Sequence, residues 1–208
     1  MKRLFYAVVK NFCLVFFKLY NRLSVRWIAP MPKEDPVIVV ANHCSNLDPV
    51  LVGSVFPRRL RYLAKAELFS SWIMKVLIRT LGAIPVNKQD QQSAGMALKA
   101  FLELLENGEN VLLFPEGARS LDGKLQSLQG GAALIALKSG APVVPAYIKG
   151  SFESMPPGAK FIRATSITVL FGETIYPKEI SEGESPKESR KKFLDKISEA
   201  LSDLEKSV

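Results

Sequence analysis

The sequence predicts an α/β domain with a mixed, largely parallel central sheet flanked by helices, preceded by an amphipathic helical element. Three observations carry that expectation. Short, β-branched apolar runs alternate with longer stretches whose apolar residues recur at helical spacing. Gly and Pro punctuate the joints between them. No internal repeat or low-complexity tract interrupts the alternation. A chain of 208 residues is long enough for one domain with a sizeable core. An apolar content of 48% excludes general disorder. The expected division is a helical element over residues 1–30 and a single folded domain over 31–208.

Residues 1–29 hold no acid, while Lys2, Arg3, Lys10, Lys18, Arg22 and Arg26 interrupt a run rich in Phe, Leu and Val. Arg3, Lys10 and Lys18 fall near one line of a helix, and Leu4, Val8, Phe12, Val15 and Leu19 lie on another face. Its uncharged stretches are far shorter than the ~20 residues a bilayer span needs. A signal peptide fits poorly, because Lys10 breaks the apolar region. Two readings stand: a helix lying in the membrane interface, with a second short helix through Trp27, or a core-packing helix with a solvated basic stripe. The width of the apolar face favours the first.

Pro30 and Pro32 close this element. Val37–Val40 then reads as a buried strand, followed by a helix from Asp48 to about Phe56, with Asp48 as its N-cap and Pro49 at its first position. Residues 58–65 suggest a strand ending at Lys65. Residues 67–80 read as a helix with Trp72, Ile73, Val76 and Leu77 facing inward. Residues 82–86 form a short strand with Lys88 just beyond. Residues 90–107 are an amphipathic helix stopped by Gly108, and residues 110–114 are a buried strand. A helix over 128–139 ends at Gly140. The strand over 142–148 contains Pro145, which points to an edge, a bulge or a site-lining position. A late strand over 164–171 and a helix from Pro186 onward complete the chain.

Charge is unevenly spread. The net charge is +8, but residues 1–88 carry 14 Lys and Arg against 4 Asp and Glu, and residues 89–208 carry 14 against 16. The basic excess lies beside the most apolar stretch, which suits an anionic membrane surface. Nucleic acid is not an expected partner, since neither a recognised binding motif nor basic residues interleaved with aromatics on a sheet is present. Two cysteines and one histidine make neither a disulfide framework nor a metal site, so no metal is expected.

His43, the one imidazole, sits five residues before Asp48 at the end of a strand. A carboxylate bonded to an imidazole fixes its tautomer and leaves the second nitrogen free to take a hydroxyl proton. Taken alone, the pair reads equally as a helix cap and a satisfied polar residue. Cys44 invites a nucleophile reading, but adjacent residues on extended backbone point apart, and a small buried role fits better. The stretch Phe114-Pro-Glu-Gly-Ala-Arg-Ser120 opens a strand into a Gly-containing turn whose N–H groups, with the Arg119 fork, suit a phosphate. A solvated Arg on an ordinary turn is the other reading. Lys65 and Lys88 also follow predicted strands. In an open α/β sheet such strand ends can share a crevice, although a lone Lys is more commonly a solvated charge.

Two of these stretches together resemble a known family. Asn42-His43-Cys-Ser-Asn-Leu-Asp48 is similar to the N-H-x-x-x-x-D motif of the glycerolipid acyltransferases, and Phe114–Ser120 is similar to their F-P-E-G-x-R-S motif, in the same order and spacing. Gly82–Lys88 resembles an intermediate motif that usually ends in Arg, and Val143–Pro145 a fourth. The resemblance runs from about residue 36 to 150 and is nearest to the bacterial 1-acyl-sn-glycerol-3-phosphate acyltransferase branch. It implies acyl transfer from acyl-CoA or acyl carrier protein, as substrates rather than cofactors, to the 2-hydroxyl of lysophosphatidic acid. His43 would be the general base and Asp48 its orienting partner. Glu116, Gly117 and Arg119, helped by Lys65 and Lys88, would place the phosphate. It implies a peripheral or monotopic protein on the cytoplasmic face of the cell membrane, touching anionic lipid and acyl carrier protein. Alternatives are transfer to glycerol 3-phosphate or another lysophospholipid, or a non-catalytic lipid-binding protein.

Overall fold

A computed structural model describes residues 2–33, 36–86, 94–181, 183 and 185–208. The chain begins with helix α1 (Lys2–Tyr20) and an edge strand β1 (Ser24–Trp27). It continues through β2 (Ile38–Ala41), α2 (Asp48–Val55), β3 (Leu60–Lys65), a 3-10 turn (Ala66–Phe69), α3 (Trp72–Thr80) and β4 (Ala83–Val86). Then come α4 (Ala94–Glu106), β5 (Asn110–Leu113), α5 (Gly131–Ser139), β6 (Val143–Lys149), the short α6 (Ser151–Ser154), β7 (Thr168–Phe171), α7 (Pro177–Ser181) and α8 (Pro186–Lys206). The α/β expectation holds. Seven strands form one sheet in the order β1-β7-β6-β2-β5-β3-β4. All neighbouring pairs run parallel except β6 with β7.

The β-branched run at Val37–Ala41 is wholly buried because β2 lies mid-sheet with helices on both faces. Val37, Val39 and Ala41 join one core with α1, α2 and α3. Ile38 and Val40 join the other with α4, α5 and α8. The connection from β2 runs past β5 to reach β3, and the one from β5 runs past β2 to reach β6. Their helices therefore cover opposite faces. Between the carboxyl ends of β2 and β5 the chain parts in two directions, and a crevice opens there.

Four expectations need correction. The second short helix through Trp27 is a strand instead: Ser24–Trp27 pairs in register with Thr168–Phe171. α1 stops at Tyr20, and Arg22 adopts a left-handed conformation (φ 47) that turns the chain into the sheet. Asn21, fully buried, ties this corner, with its amide nitrogen 2.9 Å from the Arg163 carbonyl and 3.1 Å from both the Thr165 carbonyl and Ser154 Oγ. Second, Trp72 and Ile73 do not face inward: they are 76% and 71% exposed, and Ile78 supplies the buried contact of α3. Third, the N-cap of α2 is Leu47, so Asp48 is already inside the first turn. Fourth, β6 is not an edge strand. Pro145 pairs with Val40 on one side, and its carbonyl accepts from Gly172 on the other. Its missing N–H falls toward β7, just past that strand's last residue.

α1 packs Cys13 and Phe17 inward and exposes the row Leu4, Val8, Phe12, Val15 and Leu19, of which Leu19 is 79% exposed. Lys10 leaves the basic stripe: its ammonium donates to the Phe56 and Pro57 carbonyls at the end of α2, and burial lowers its pKa. Among the described residues no helix is long and apolar enough to cross a membrane.

Candidate active site

His43 and Asp48 leave β2 on the same loop, and the structure brings them together: His43 Nδ1 lies 2.9 Å from Asp48 Oδ2. That oxygen also accepts the backbone N–H groups of Cys44 and Ser45, each at 2.7 Å. The carboxylate thus reaches back over the loop instead of forward along α2, where it makes no cap bond. Asp48 is fully buried, and three donors converging on one oxygen hold the side chain and the loop in one arrangement. With the carboxylate on Nδ1, that nitrogen carries the proton and Nε2 presents its lone pair. Nε2 has no hydrogen-bond partner among the described residues, and the His43 side chain is 19% exposed.

The loop after β5 supports the imidazole from the other side. The Phe114 ring stacks on His43 with centroids 4.0 Å apart and planes 20° from parallel. The chain then turns tightly, closed by a bond from the Gly117 N–H to the Phe114 carbonyl at 3.1 Å. Gly117 has φ +74, so the backbone calls for glycine, and a Cβ there would meet the movable end of the Gln129 side chain. Glu116 is buried. It accepts the His43 N–H at 2.6 Å with one oxygen and the Gln126 N–H at 2.9 Å with the other. The Ser120 N–H donates to the His43 carbonyl at 2.7 Å. Burial raises the Glu116 pKa, and the two backbone donors oppose that rise. Both Glu116 oxygens are occupied by backbone donors, which ties the two loops together.

Arg119 is half-buried beside Ser120 and pairs with no carboxylate among the described residues. Lys65 ends β3, next to β5 in the sheet, and is exposed. Lys88 lies outside the described residues. Cys44 is buried, with Sγ 3.2 Å from Ser151 Oγ. Burial, then the nearby Asp48 charge, pushes its thiol up to about 12, which keeps it protonated and unsuited to nucleophilic attack. Among the described residues no cluster of side chains could hold a metal ion.

Asn42 has a role that the sequence does not announce. Its amide donates to the Ile148 carbonyl at 3.0 Å and accepts the Ile148 N–H at 2.7 Å. It extends the β2–β6 pairing by side chain where the backbone of β2 turns away, so His43 leaves from a fixed point. A fully polar residue between a buried strand and the histidine was the available signal. Gln126 and Gln129 carried none, because their roles come from a loop that folds back ten or more residues later.

A family model described as Acyltransferase matches residues 22–149. The chain is 30% identical over 162 residues to the chloroplastic 1-acyl-sn-glycerol-3-phosphate acyltransferase LPAT1 of Arabidopsis thaliana, covering 77% of this chain and 45% of that one. It is 26% identical over 160 residues to the 1-acyl-sn-glycerol-3-phosphate acyltransferase of Bacillus subtilis, covering 76% and 73%. It is similar in structure to the 1-acyl-sn-glycerophosphate (LPA) acyltransferase PlsC from Thermotoga maritima, with a TM-score of 0.75 and 28% identity over 96% of this chain and 79% of that one. The chain spans about half the length of the plant and algal relatives it matches.

Proposed function

The chain belongs to the Acyltransferase family, and from that premise we propose that it moves an acyl group from acyl-CoA or acyl carrier protein to the 2-hydroxyl of 1-acyl-sn-glycerol 3-phosphate, forming phosphatidic acid. One observation carries the reading: an imidazole fixed by a buried carboxylate, with its second nitrogen unpaired at the mouth of the β2–β5 crevice. His43 Nε2 takes the proton of the acceptor hydroxyl as the oxygen attacks the thioester carbonyl. The C–S bond breaks as the tetrahedral intermediate collapses, and the imidazolium returns its proton to the leaving thiolate. Asp48 stabilises that imidazolium. The thioester is already activated, so no acyl-enzyme is required, in keeping with a protonated Cys44. Arg119 binds the acceptor phosphate, helped by Lys65 and Lys88, and the turn at Glu116 and Gly117 sets its position.

The substrate and product are anionic lipids, so the protein works at a bilayer surface. The row on α1 from Leu4 to Leu19 enters the interface of the cytoplasmic leaflet while Lys18 and Arg22 meet the headgroups. The deciding experiment follows thiol release from acyl-CoA and from acyl carrier protein with lysophosphatidic acid, glycerol 3-phosphate and other lysophospholipids in turn. Turnover with lysophosphatidic acid above the others is expected. Turnover with none of them would overturn the proposal and favour a lipid-binding protein without activity.

A further inference from the structure

A second basic site lies at the opposite end of the sheet from His43. Arg59 immediately precedes β3 and Thr80 closes α3 ahead of β4, so both sit at the amino ends of strands whose carboxyl ends face the crevice. There α1 and α3 enclose a cavity of about 210 Å³ lined by Phe5, Tyr6, Arg59, Arg79 and Thr80. That is small for a metabolite-sized ligand and suits a single headgroup. The Arg59 guanidinium lies 5.4 Å from the Tyr6 ring centre, and Arg79 lies 5.6 Å from that of Phe69. Each guanidinium is held against an aromatic face, and neither meets a carboxylate among the described residues. The Tyr6 hydroxyl is buried without a hydrogen-bond partner among those residues. Two exposed guanidiniums, of which Arg59 also donates to the Thr80 carbonyl at 3.5 Å, and an aromatic wall form a site for a doubly coordinated oxyanion.

We propose that this cavity seats the phosphate of an anionic phospholipid, separate from the phosphate place beside His43. Its position argues for the lipid source. Phe5, which lines the cavity, is half exposed, and Val8, three residues on, stands exposed on the outward row of α1, so a phosphate held between the arginines has apolar surface beside it for acyl chains. The inference rests on the bilayer reading above for the source of the phosphate, and on the cavity for its chemistry.

The test uses the full chain and phosphatidylcholine vesicles with and without phosphatidylglycerol, a phosphodiester lipid that is neither the proposed acceptor nor the product. Arg59→Gln with Arg79→Gln is compared with Lys18→Gln and Arg22→Gln, a change of equal charge at the other end of α1. The arginine variant should lose roughly tenfold more affinity for the phosphatidylglycerol vesicles than the charge-matched one. Tyr6→Phe, which keeps the ring and removes only a hydroxyl shut away from solvent, should bind like wild type. Inorganic phosphate that displaces wild type but not the arginine variant would extend the site to free phosphate, and failure to compete assigns it to lipid alone. Equal losses in the two double variants would overturn the site while leaving the bilayer reading intact. A wild type that ignores vesicles altogether would overturn both.

Discussion

The β2–β5 crevice and the outward face of α1 are completed in opposite ways. In the crevice most polar groups are answered from within the chain, with His43 Nε2 and Asp48 Oδ1 left without partners among the described residues. Asp48 Oδ2 collects an imidazole and two amides, both Glu116 oxygens are taken, and Asn42 grips Ile148 at two points. On α1 a row of five large apolar side chains has no cover at all. Internally satisfied polar groups specify a geometry that exists before substrate arrives. Uncovered apolar groups specify a partner instead, since a monomer in water rarely leaves such a row open. The proposed place of reaction and the proposed place of docking are therefore written in different interactions, and substitutions can separate them.

The largest separation is expected at His43. His43→Ala should lower turnover by about a thousandfold while thermal unfolding and vesicle binding stay near wild type, because the loop is held through the His43 backbone and Asp48. Substantial residual turnover would move the base elsewhere. Next comes the row on α1. Replacing Leu4, Phe12 and Leu19 with Ser should weaken vesicle binding by about a hundredfold, taking roughly 0.9 kcal/mol for each partly inserted side chain withdrawn from the interface. Turnover of a short-chain, water-soluble lysophosphatidate should not change. Unchanged vesicle binding would return α1 to an ordinary packing helix. Substitution is cleaner than deletion of residues 1–29, which would also remove β1 and Asn21 from the fold.

The smallest effect is expected at the thiols, where catalytic neighbourhood and catalytic role part company. Cys44→Ala should leave turnover within about threefold, since it removes only a weak contact to Ser151. Burial holds Cys44 up to about 12 and Cys13 up to about 11, above the ordinary 9.0. Thiols that keep their protons longer when folded add stability below pH 9.0, and this contribution is lost as pH rises toward those values. Alkaline unfolding should therefore begin above pH 9.0 and shift upward in a Cys44→Ala, Cys13→Ala variant. An unshifted transition would assign it to other groups, such as Tyr62 and Tyr147, whose burial also raises their pKa.

Much of this was legible in the sequence because it is local or periodic. The run at Val37–Val40 announces a central strand, and His43 and Asp48 are close enough in the chain for their pairing to be foreseen. What escaped depends on distant partners. Ser24–Trp27 is four residues long and follows a helical run; it becomes a strand only through Thr168–Phe171. The Glu116 bonds to His43 and Gln126 exist only after two loops meet. Trp72 and Ile73 misled for a different reason. Apolar spacing reports which face of a helix avoids water, without saying whether protein or something outside it provides the shelter.

The corner at Asn21 gives the docking helix a further property. α1 does not hang from a flexible linker. Its end is bolted to the Arg163 and Thr165 carbonyls and to Ser154, and Ser151, in the same short helix as Ser154, touches Cys44 beside the base. On the proposed bilayer reading the protein therefore floats with a fixed draught: the depth of α1 would set the height of His43 above the glycerol plane, and the waterline is built into the hull.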